Sequence, residues 1–225
     1  MPLIYPRSVW NPQYQDGDVT LSVYALEVFA HHSVTTQLPA TATMEMECAE
    51  MRKIEATGQA RFGTGISYNV VVFPSGRAYQ GVSWNRRGTH TGGRNSTARS
   101  ICFAGNYEEF KPTPEQLTTA QKIYHTGKGQ WWSFNAPLRG HRDVSQTACP
   151  GENVYTKLPL LRTPPITEDI EMASIEDIAD AVWDEEIPVP PNLVERFGER
   201  ITMRRAMWAT LSRAEAVLDK LEETP

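Results

Sequence analysis

The sequence predicts an α/β fold, in which helices cover a mixed central β-sheet, followed by a small C-terminal helical appendage. Short β-rich runs alternate with helical patterns through the first 162 residues. The pair Pro164-Pro165 interrupts the chain directly afterwards. The net charge also changes sign, from +4 over residues 1–162 to −9 over residues 163–225. We therefore expect a first domain over 1–162 and a separate acidic region over 163–225.

The first half of the first domain predicts a sheet with one long helix. The run 26–30 reads as a strand that places His31 at its carboxyl end. Apolar residues then recur at helical spacing and predict an amphipathic helix over 42–57, on the positions Met44, Cys48 and Met51. The later strands should lie at 68–73, around 78–79 after a Ser-Gly turn, and at 100–104.

The second helix of the domain has a recognisable start. Thr113 is the expected N-cap, Pro114 the first helical residue, and Gln116 the partner that completes a capping box. The helix should stop near Gly127. Three of its side chains are predicted to point inward: Leu117, Ala120 and Tyr124.

The acidic C-terminal region predicts two helices of unknown role. An apolar stripe follows helical spacing through residues 175–182, and the proline-rich segment 188–192 reads as a stiff linker. Beyond it, spacings of four and three between Met207 and Leu221 resemble a coiled-coil seam of about two heptads. One interpretation is that this helix forms a homo-oligomer. Another is that the acidic tail docks on the first domain. The alternative is a helical pair packed on its own domain.

Composition limits the class of protein. No run of 18 or more apolar residues occurs, so no transmembrane helix is expected. The first residues lack the basic and apolar segments of a secretory signal. We expect neither a membrane nor a nucleic-acid partner. The three cysteines argue against a disulfide framework and for a reducing compartment, with Cys48 and Cys102 as buried packing residues.

The segment 140–151 carries the clearest chemistry. His141 and Cys149 stand eight residues apart, and His31 and His32 lie far upstream. Imidazole nitrogen and thiolate sulfur are donors that zinc prefers, and three protein ligands leave a fourth position open for water. Adjacent strand residues point to opposite faces, so only one of the two histidines can join the site. A catalytic zinc site is predicted; the rival chemistry is a cysteine hydrolase with Cys149 as nucleophile and His141 as base.

Six segments, taken in order, resemble the zinc-dependent N-acetylmuramoyl-L-alanine amidases of the phage-lysozyme and peptidoglycan-recognition-protein superfamily. Together they cover roughly residues 7 to 160, at 7–10, 28–33, 65–69 with 74–77, 88–91, 100–106 and 140–151. The resemblance implies a peptidoglycan-recognition-protein-like fold. Its overall character is that of a bacteriophage endolysin.

The resemblance also implies the ligands of one zinc ion. The family's ligand stands at the first of the two adjacent histidines, which selects His31 together with His141 and Cys149. His32 is then a supporting or surface residue. Pro150 resembles the first residue of a helix, and a helix N-terminus and a metal both lower a thiol's pKa. Cys149 is therefore expected to be a thiolate at neutral pH.

Two groups of further site residues follow from the same resemblance. Tyr68 is expected to contact the zinc-bound water, and Thr147 stands where some relatives carry Lys and others Thr. Tyr68 would orient the water or donate to the tetrahedral intermediate, and Thr147 would bind the oxyanion or position the substrate. His90 matches a histidine that lines the substrate groove, with a plain surface-loop histidine as the alternative. Arg94 and Asn95 would pair with the stem peptide.

The implied function is hydrolysis of peptidoglycan. Zinc-activated water would cleave the amide bond between the N-acetylmuramic acid lactyl group and L-alanine, in bacterial peptidoglycan and for host-cell lysis. A phage enzyme without a signal would wait in the host cytoplasm and leave through a holin-type membrane lesion. The alternative is a non-catalytic peptidoglycan-binding module, although recognition-only relatives lose the cysteine ligand that this chain keeps at Cys149.

Overall fold

A computed structural model describes residues 2–21, 24–165, 186–188 and 200–202. The chain forms two compact units, Met1–Pro165 and Ile166–Pro225. The first unit contains five strands, which are β1 (Glu27–His32), β2 (Val70–Val72), β3 (Ala78–Gln80), β4 (Ala98–Phe103) and β5 (Leu138–Gly140). They form one sheet in the order β3-β2-β4-β1-β5, in which only β3 is antiparallel to its neighbour. This mixed sheet confirms the predicted fold class.

Helices cover both faces of the sheet. Their bounds are α1 (Met44–Phe62), α2 (Pro114–Gly127), α3 (Glu152–Tyr155) and α4 (Leu158–Arg162). Strand residues alternate between the faces, so Val71 packs in a core with Met51 of α1. Val70 and Val72 pack in the opposite core with Ile123 of α2. Among the described residues, no helix has the length and apolarity needed to cross a membrane.

Helix α1 is longer than its apolar pattern predicts. Thr43 is the N-cap and accepts a hydrogen bond from the Met46 amide. The helix ends at Gly63, whose φ of 70° lies in the left-handed region that glycine adopts freely. Cys48 and Met51 are buried as predicted, whereas Met44 is 37% exposed. The pattern missed residues 58–62 because Ala60, Arg61 and Phe62 are exposed and do not continue the buried apolar stripe.

The structure confirms Thr113 as the N-cap of α2, whereas the predicted capping box with Gln116 is wrong. The Thr113 hydroxyl accepts from the Gln116 amide at 3.1 Å, as an N-cap does. The Gln116 side chain, however, is fully buried and does not complete a capping box. Its amide nitrogen donates to the Val72 carbonyl at 2.7 Å, and its oxygen accepts from the Tyr107 hydroxyl at 2.7 Å. A buried side-chain amide needs hydrogen-bond partners, and Gln116 finds them in the core rather than at the helix start. The Val72 carbonyl accepts from the Ala104 amide at 2.9 Å as well as from Gln116.

The second unit contains a feature that the sequence did not predict. Two short strands, β6 (Glu186–Pro188) and β7 (Arg200–Thr202), pair antiparallel. Pro188 therefore belongs to a strand rather than to the predicted linker, at a strand end where its missing N–H is tolerated. The second predicted helix, which was expected to follow the linker, is wrong at residues 200–202, where the chain forms β7. The rest of both predicted helices, and the homo-oligomer proposed through the second, lie outside the described residues.

A buried carboxylate joins α1 to the hairpin formed by β2 and β3. Glu47 has no exposed side-chain surface and accepts hydrogen bonds from Arg77 Nε at 2.6 Å and the Tyr79 hydroxyl at 2.8 Å. Ser75, in the turn of the hairpin, donates a third at 2.5 Å. The Arg77 guanidinium is the positive charge that compensates this carboxylate.

We expect the substitution Arg77→Ala to lower the free energy of unfolding by about 3–5 kcal/mol, because it leaves a buried charge without its partner. Urea denaturation followed by circular dichroism measures the change. Arg139→Ala is the matched control, since Arg139 is 42% exposed and Glu27 keeps a second partner in Arg94. That control should lose less than about 1 kcal/mol. Equal losses in the two variants would contradict the assignment.

Candidate metal site

Two histidines and a cysteine meet at the carboxyl ends of two neighbouring strands. The donor atoms of His31, His141 and Cys149 all lie within 4.8 Å of one another. The two imidazole rings are 4.6 Å apart between centroids, and Cys149 Sγ lies 3.4 Å from His31 Nδ1. Within the part of the chain that the structure describes, this is the one cluster of such donors that fits around a single ion. The structure thus brings together the three ligands chosen from the sequence.

The parallel pairing of β1 and β5 explains the meeting of the two histidines. Ala30 of β1 lies opposite Gly140 at the end of β5, so the residue after each points to the same edge of the sheet. His141 opens a short 3-10 helix, His141–Asp143, directly after β5. The Asp143 carboxylate accepts from the Gly140 amide at 2.9 Å and closes this turn.

The loop after this turn returns Cys149 to the site. The Arg142 amide donates to the Cys149 carbonyl at 2.9 Å. The Arg142 guanidinium pairs with Glu152 at 2.6 Å and with Glu108 at 3.2 Å. It also donates to the Ala148 carbonyl next to the cysteine. Through these contacts, Arg142 connects the start of the loop to its end at Ala148 and Cys149, and also to Glu108 and Glu152.

The expectation of a helix N-terminus beside Cys149 is wrong. Pro150 lies in a turn, and α3 begins only at Glu152 after its N-cap Gly151. Burial instead raises the pKa of the Cys149 thiol to about 12. A thiolate at this position therefore depends on a bound cation, which favours the deprotonated form.

The two histidines of the cluster are kept neutral. Burial, with smaller contributions from His90 and His141, holds the pKa of His31 well below its usual range. Burial also lowers the pKa of His141. A neutral imidazole keeps a lone pair that can bind a metal. Two neutral nitrogens and one sulfur form a three-donor set that fits zinc and leaves one coordination position open.

His32 is buried rather than at the surface. It is 5% exposed, and its Nδ1 accepts from the Tyr107 amide at 3.2 Å. Burial lowers its pKa to about 4. The interpretation as a surface residue is therefore wrong. The side chain supports the segment that follows β4.

The two predicted catalytic residues lie at the edge of the cluster. The Tyr68 ring is 5.4 Å from the His31 ring, and burial raises the pKa of its phenol well above the usual range. The phenol is therefore protonated at neutral pH and acts as a donor. Thr147 is exposed, and its hydroxyl oxygen accepts from the Cys149 amide at 3.2 Å. The proton of the Thr147 hydroxyl therefore remains available to donate to another group.

The three predicted substrate-binding residues lie in the loop 88–95 and have different surroundings. His90 is 6% exposed, so the surface-loop interpretation is wrong, and its ring stands edge-on to His31 at 5.3 Å.

Asn95 accepts from the backbone amides of His90 at 3.0 Å and Thr91 at 2.7 Å. Arg94 pairs with Glu27 at 2.7 Å. Contacts of Arg94 and Asn95 with a substrate stay predictions, since the structure gives both residues a role within the protein.

One residue of the site was missed by sequence reasoning. The Thr91 hydroxyl lies between two imidazoles, 3.2 Å from His31 Nε2 and 2.9 Å from His90 Nδ1. Its adjacency to His90 in the segment 88–91 was the available signal. A threonine beside a histidine says nothing about a third residue sixty positions away.

The fold and the donor cluster together define a protein of the peptidoglycan-recognition class. The solved structure of human PGRP-IBETAC in complex with glycosamyl muramyl pentapeptide superposes with a TM-score of 0.66 at 26% identity, covering 74% of this chain and 100% of that one. A family model described as N-acetylmuramoyl-L-alanine amidase matches residues 26–152. The chain belongs to this family.

Two mouse proteins illustrate the relatives. Peptidoglycan recognition protein 3 is 40% identical over 155 residues, which cover 68% of this chain and 44% of that protein. A protein named N-acetylmuramoyl-L-alanine amidase is 30% identical over 174 residues, covering 76% of this chain and 32% of that protein. The chain therefore spans less than half the length of either mouse protein. Its relatives include both recognition proteins and proteins named as amidases.

Proposed function

We propose that this chain is a zinc amidase that hydrolyses the bond between the lactyl group of N-acetylmuramic acid and the L-alanine of the stem peptide. The observation that carries the proposal is the cluster of His31, His141 and Cys149, whose donor atoms lie within 4.8 Å of one another. A module that only binds peptidoglycan has no need of such a donor set. The proposed cofactor is one zinc ion held by these three residues.

Each ligand contributes in a defined protonation state. His31 and His141 are neutral because burial lowers the pKa of both rings, so they bind a cation without first losing a proton. Cys149 must release its proton on binding, which makes metal affinity rise with pH. When bound, zinc supplies a Lewis acid that activates water and polarises an amide carbonyl.

Tyr68 and Thr147 supply the hydrogen-bond donors of the reaction. The protonated phenol of Tyr68 stands beside His31 and can donate to the carbonyl oxygen as negative charge develops on it. The Thr147 hydroxyl already accepts from the Cys149 amide, so its proton is free to position the substrate. Neither group transfers a proton at neutral pH. Their task is to stabilise charge and orient the amide.

Two findings on relatives support peptidoglycan as the substrate. The mouse relative is named for this amidase activity, and the human structure holds a muramyl pentapeptide. The role as a phage endolysin, which waits in the host cytoplasm and is released through a holin-type lesion for host lysis, is part of the proposal. It rests on the order of the six sequence segments.

A product analysis tests the proposed reaction. Purified full-length protein with its metal content measured is incubated with peptidoglycan, and the products are identified by mass spectrometry. We expect one zinc per chain and new termini at the lactyl carboxyl group and the L-alanine amine. Co-sedimentation with the wall without these termini would show a binding module instead.

The substitution Cys149→Asp separates zinc chemistry from a cysteine nucleophile. A carboxylate can still bind zinc but cannot attack as a thiol. We expect a protein that retains zinc and shows reduced but measurable amidase activity in the same product assay. Cys149→Ala, which removes the donor, should lose both. Amidase activity in Cys149→Asp would exclude a cysteine nucleophile, whereas product formation by a zinc-free Cys149→Ala protein would contradict the proposal.

A further inference from the structure

The Thr91 hydroxyl joins two buried imidazoles next to the candidate metal site. Thr91 is fully buried, and His31 and His90 are 1% and 6% exposed. Thr91 Oγ1 lies 3.2 Å from His31 Nε2 and 2.9 Å from His90 Nδ1. A hydroxyl has a single proton to donate, so Thr91 must accept at least one of these two bonds.

The position of Cys149 indicates the direction of the bond between Thr91 and His31. His31 Nδ1 faces Cys149 Sγ at 3.4 Å, so Nδ1 is the nitrogen that faces the donor cluster. A nitrogen that binds a metal must carry a lone pair, which puts the proton of the neutral ring on Nε2. His31 Nε2–H then donates to Thr91, and the Thr91 proton remains available for His90 Nδ1.

The loop around Thr91 holds the hydroxyl in place. The Asn95 side-chain oxygen accepts from the Thr91 amide at 2.7 Å and from the His90 amide at 3.0 Å. His90 Nε2 is a buried atom without a hydrogen-bond partner among the described residues. The hydroxyl is therefore held where it can accept the proton on His31 Nε2.

We propose that Thr91 is a positioning residue, which fixes His31 in the tautomer whose Nδ1 lone pair faces the metal site. This inference rests on the proposed function, because it assigns His31 as a ligand. Without the hydroxyl, a proton on Nε2 would be buried and unpaired. The other tautomer would then be favoured, since its Nδ1–H can donate to the Cys149 sulfur. That proton would occupy the position that the metal needs.

Three variants of the full chain test this role. Thr91→Val keeps the shape and removes the hydroxyl, whereas Thr91→Ser keeps the hydroxyl. Thr89→Val is the matched control in the same loop. The Thr89 hydroxyl bonds Ser67 at 3.1 Å and Thr64 at 3.0 Å, and no hydrogen bond joins it to a candidate ligand.

The first measurement is the zinc dissociation constant of metal-free protein, in competition with a chromophoric chelator. We expect Thr91→Val to bind zinc about 10–100-fold more weakly, the usual effect of losing a hydrogen bond that orients a ligand. Thr91→Ser and Thr89→Val should bind like the unsubstituted protein. Wild-type affinity in Thr91→Val, or an equal loss in Thr89→Val, would overturn the inference.

The second measurement needs no metal. Nitrogen-15 NMR of the imidazoles in metal-free protein should show His31 protonated on Nε2 in the unsubstituted and Thr91→Ser proteins, and on Nδ1 in Thr91→Val. An unchanged tautomer in Thr91→Val would overturn the inference. If Thr91→Val does not fold, Thr91→Ala takes its place in both measurements. Failure of the unsubstituted protein to bind zinc would instead overturn the proposed function, with the tautomer still deciding the role of Thr91.

Discussion

Replacing His31 with alanine is expected to remove the bound zinc and abolish amidase activity. The substitution takes away the most buried donor of the cluster and the one that contacts both Cys149 and Thr91. Two donors, His141 and Cys149, would remain, which is fewer than the three that a catalytic zinc site uses. Elemental analysis of dialysed protein and the product assay measure the two losses.

The neighbouring histidine provides the control for this prediction. His32→Ala should retain one zinc and most activity, because the His32 ring contacts the Tyr107 amide rather than the cluster. It should lower the free energy of unfolding by about 1–3 kcal/mol, since that buried amide loses its acceptor. Zinc retention in His31→Ala together with zinc loss in His32→Ala would reverse the choice of ligand.

Tyr68→Phe is expected to lower kcat by about 10²–10³ while leaving zinc bound. That range is the usual effect of removing one donor that stabilises a developing oxyanion. The ring stays in place, so packing against His31 at 5.4 Å is retained and only the phenol donor is lost. Steady-state kinetics on a soluble muropeptide, with zinc content measured on the same sample, separates the two effects.

A second tyrosine serves as the matched control. Tyr24 is 56% exposed, and its hydroxyl donates to the Gly129 carbonyl, away from the cluster. Tyr24→Phe should therefore have the kcat of the unsubstituted protein. Full activity in Tyr68→Phe would show that its phenol is structural, and the donor to the oxyanion would then have to be another group.

Local sequence signals predicted the elements of the first unit well. The N-cap at Thr113, the helix end at Gly127 and the buried strand around Ile101 are confirmed. Each of these depends on residues within one turn of a helix or one strand. The last turn of α1 was missed because its exposed residues, Phe62 among them, do not continue the buried apolar stripe. The strands β5, β6 and β7 were missed because each has only three residues and none carries an apolar run like that of β2.

The candidate site was predicted as a set of residue types and not as a set of contacts. His31, His141 and Cys149 were chosen from donor chemistry and family resemblance, and the structure brings them together. The helix expected to begin at Pro150 was wrong, because the chain makes a turn there before α3 begins. A proline after a cysteine fits either local structure, so the sequence did not discriminate between them.

The sequence by itself determined the α/β class, the order of most elements and the donors available for a metal. Only the tertiary structure decided the partners of those side chains. Thr91 meets His31 across 60 residues, and Arg94 meets Glu27 across 67. The physical reason is that periodicity and capping act within a few residues and define which face of an element is buried. Hydrogen-bond partners and the proton on each imidazole depend on parallel strands that bring distant segments to one edge of the sheet.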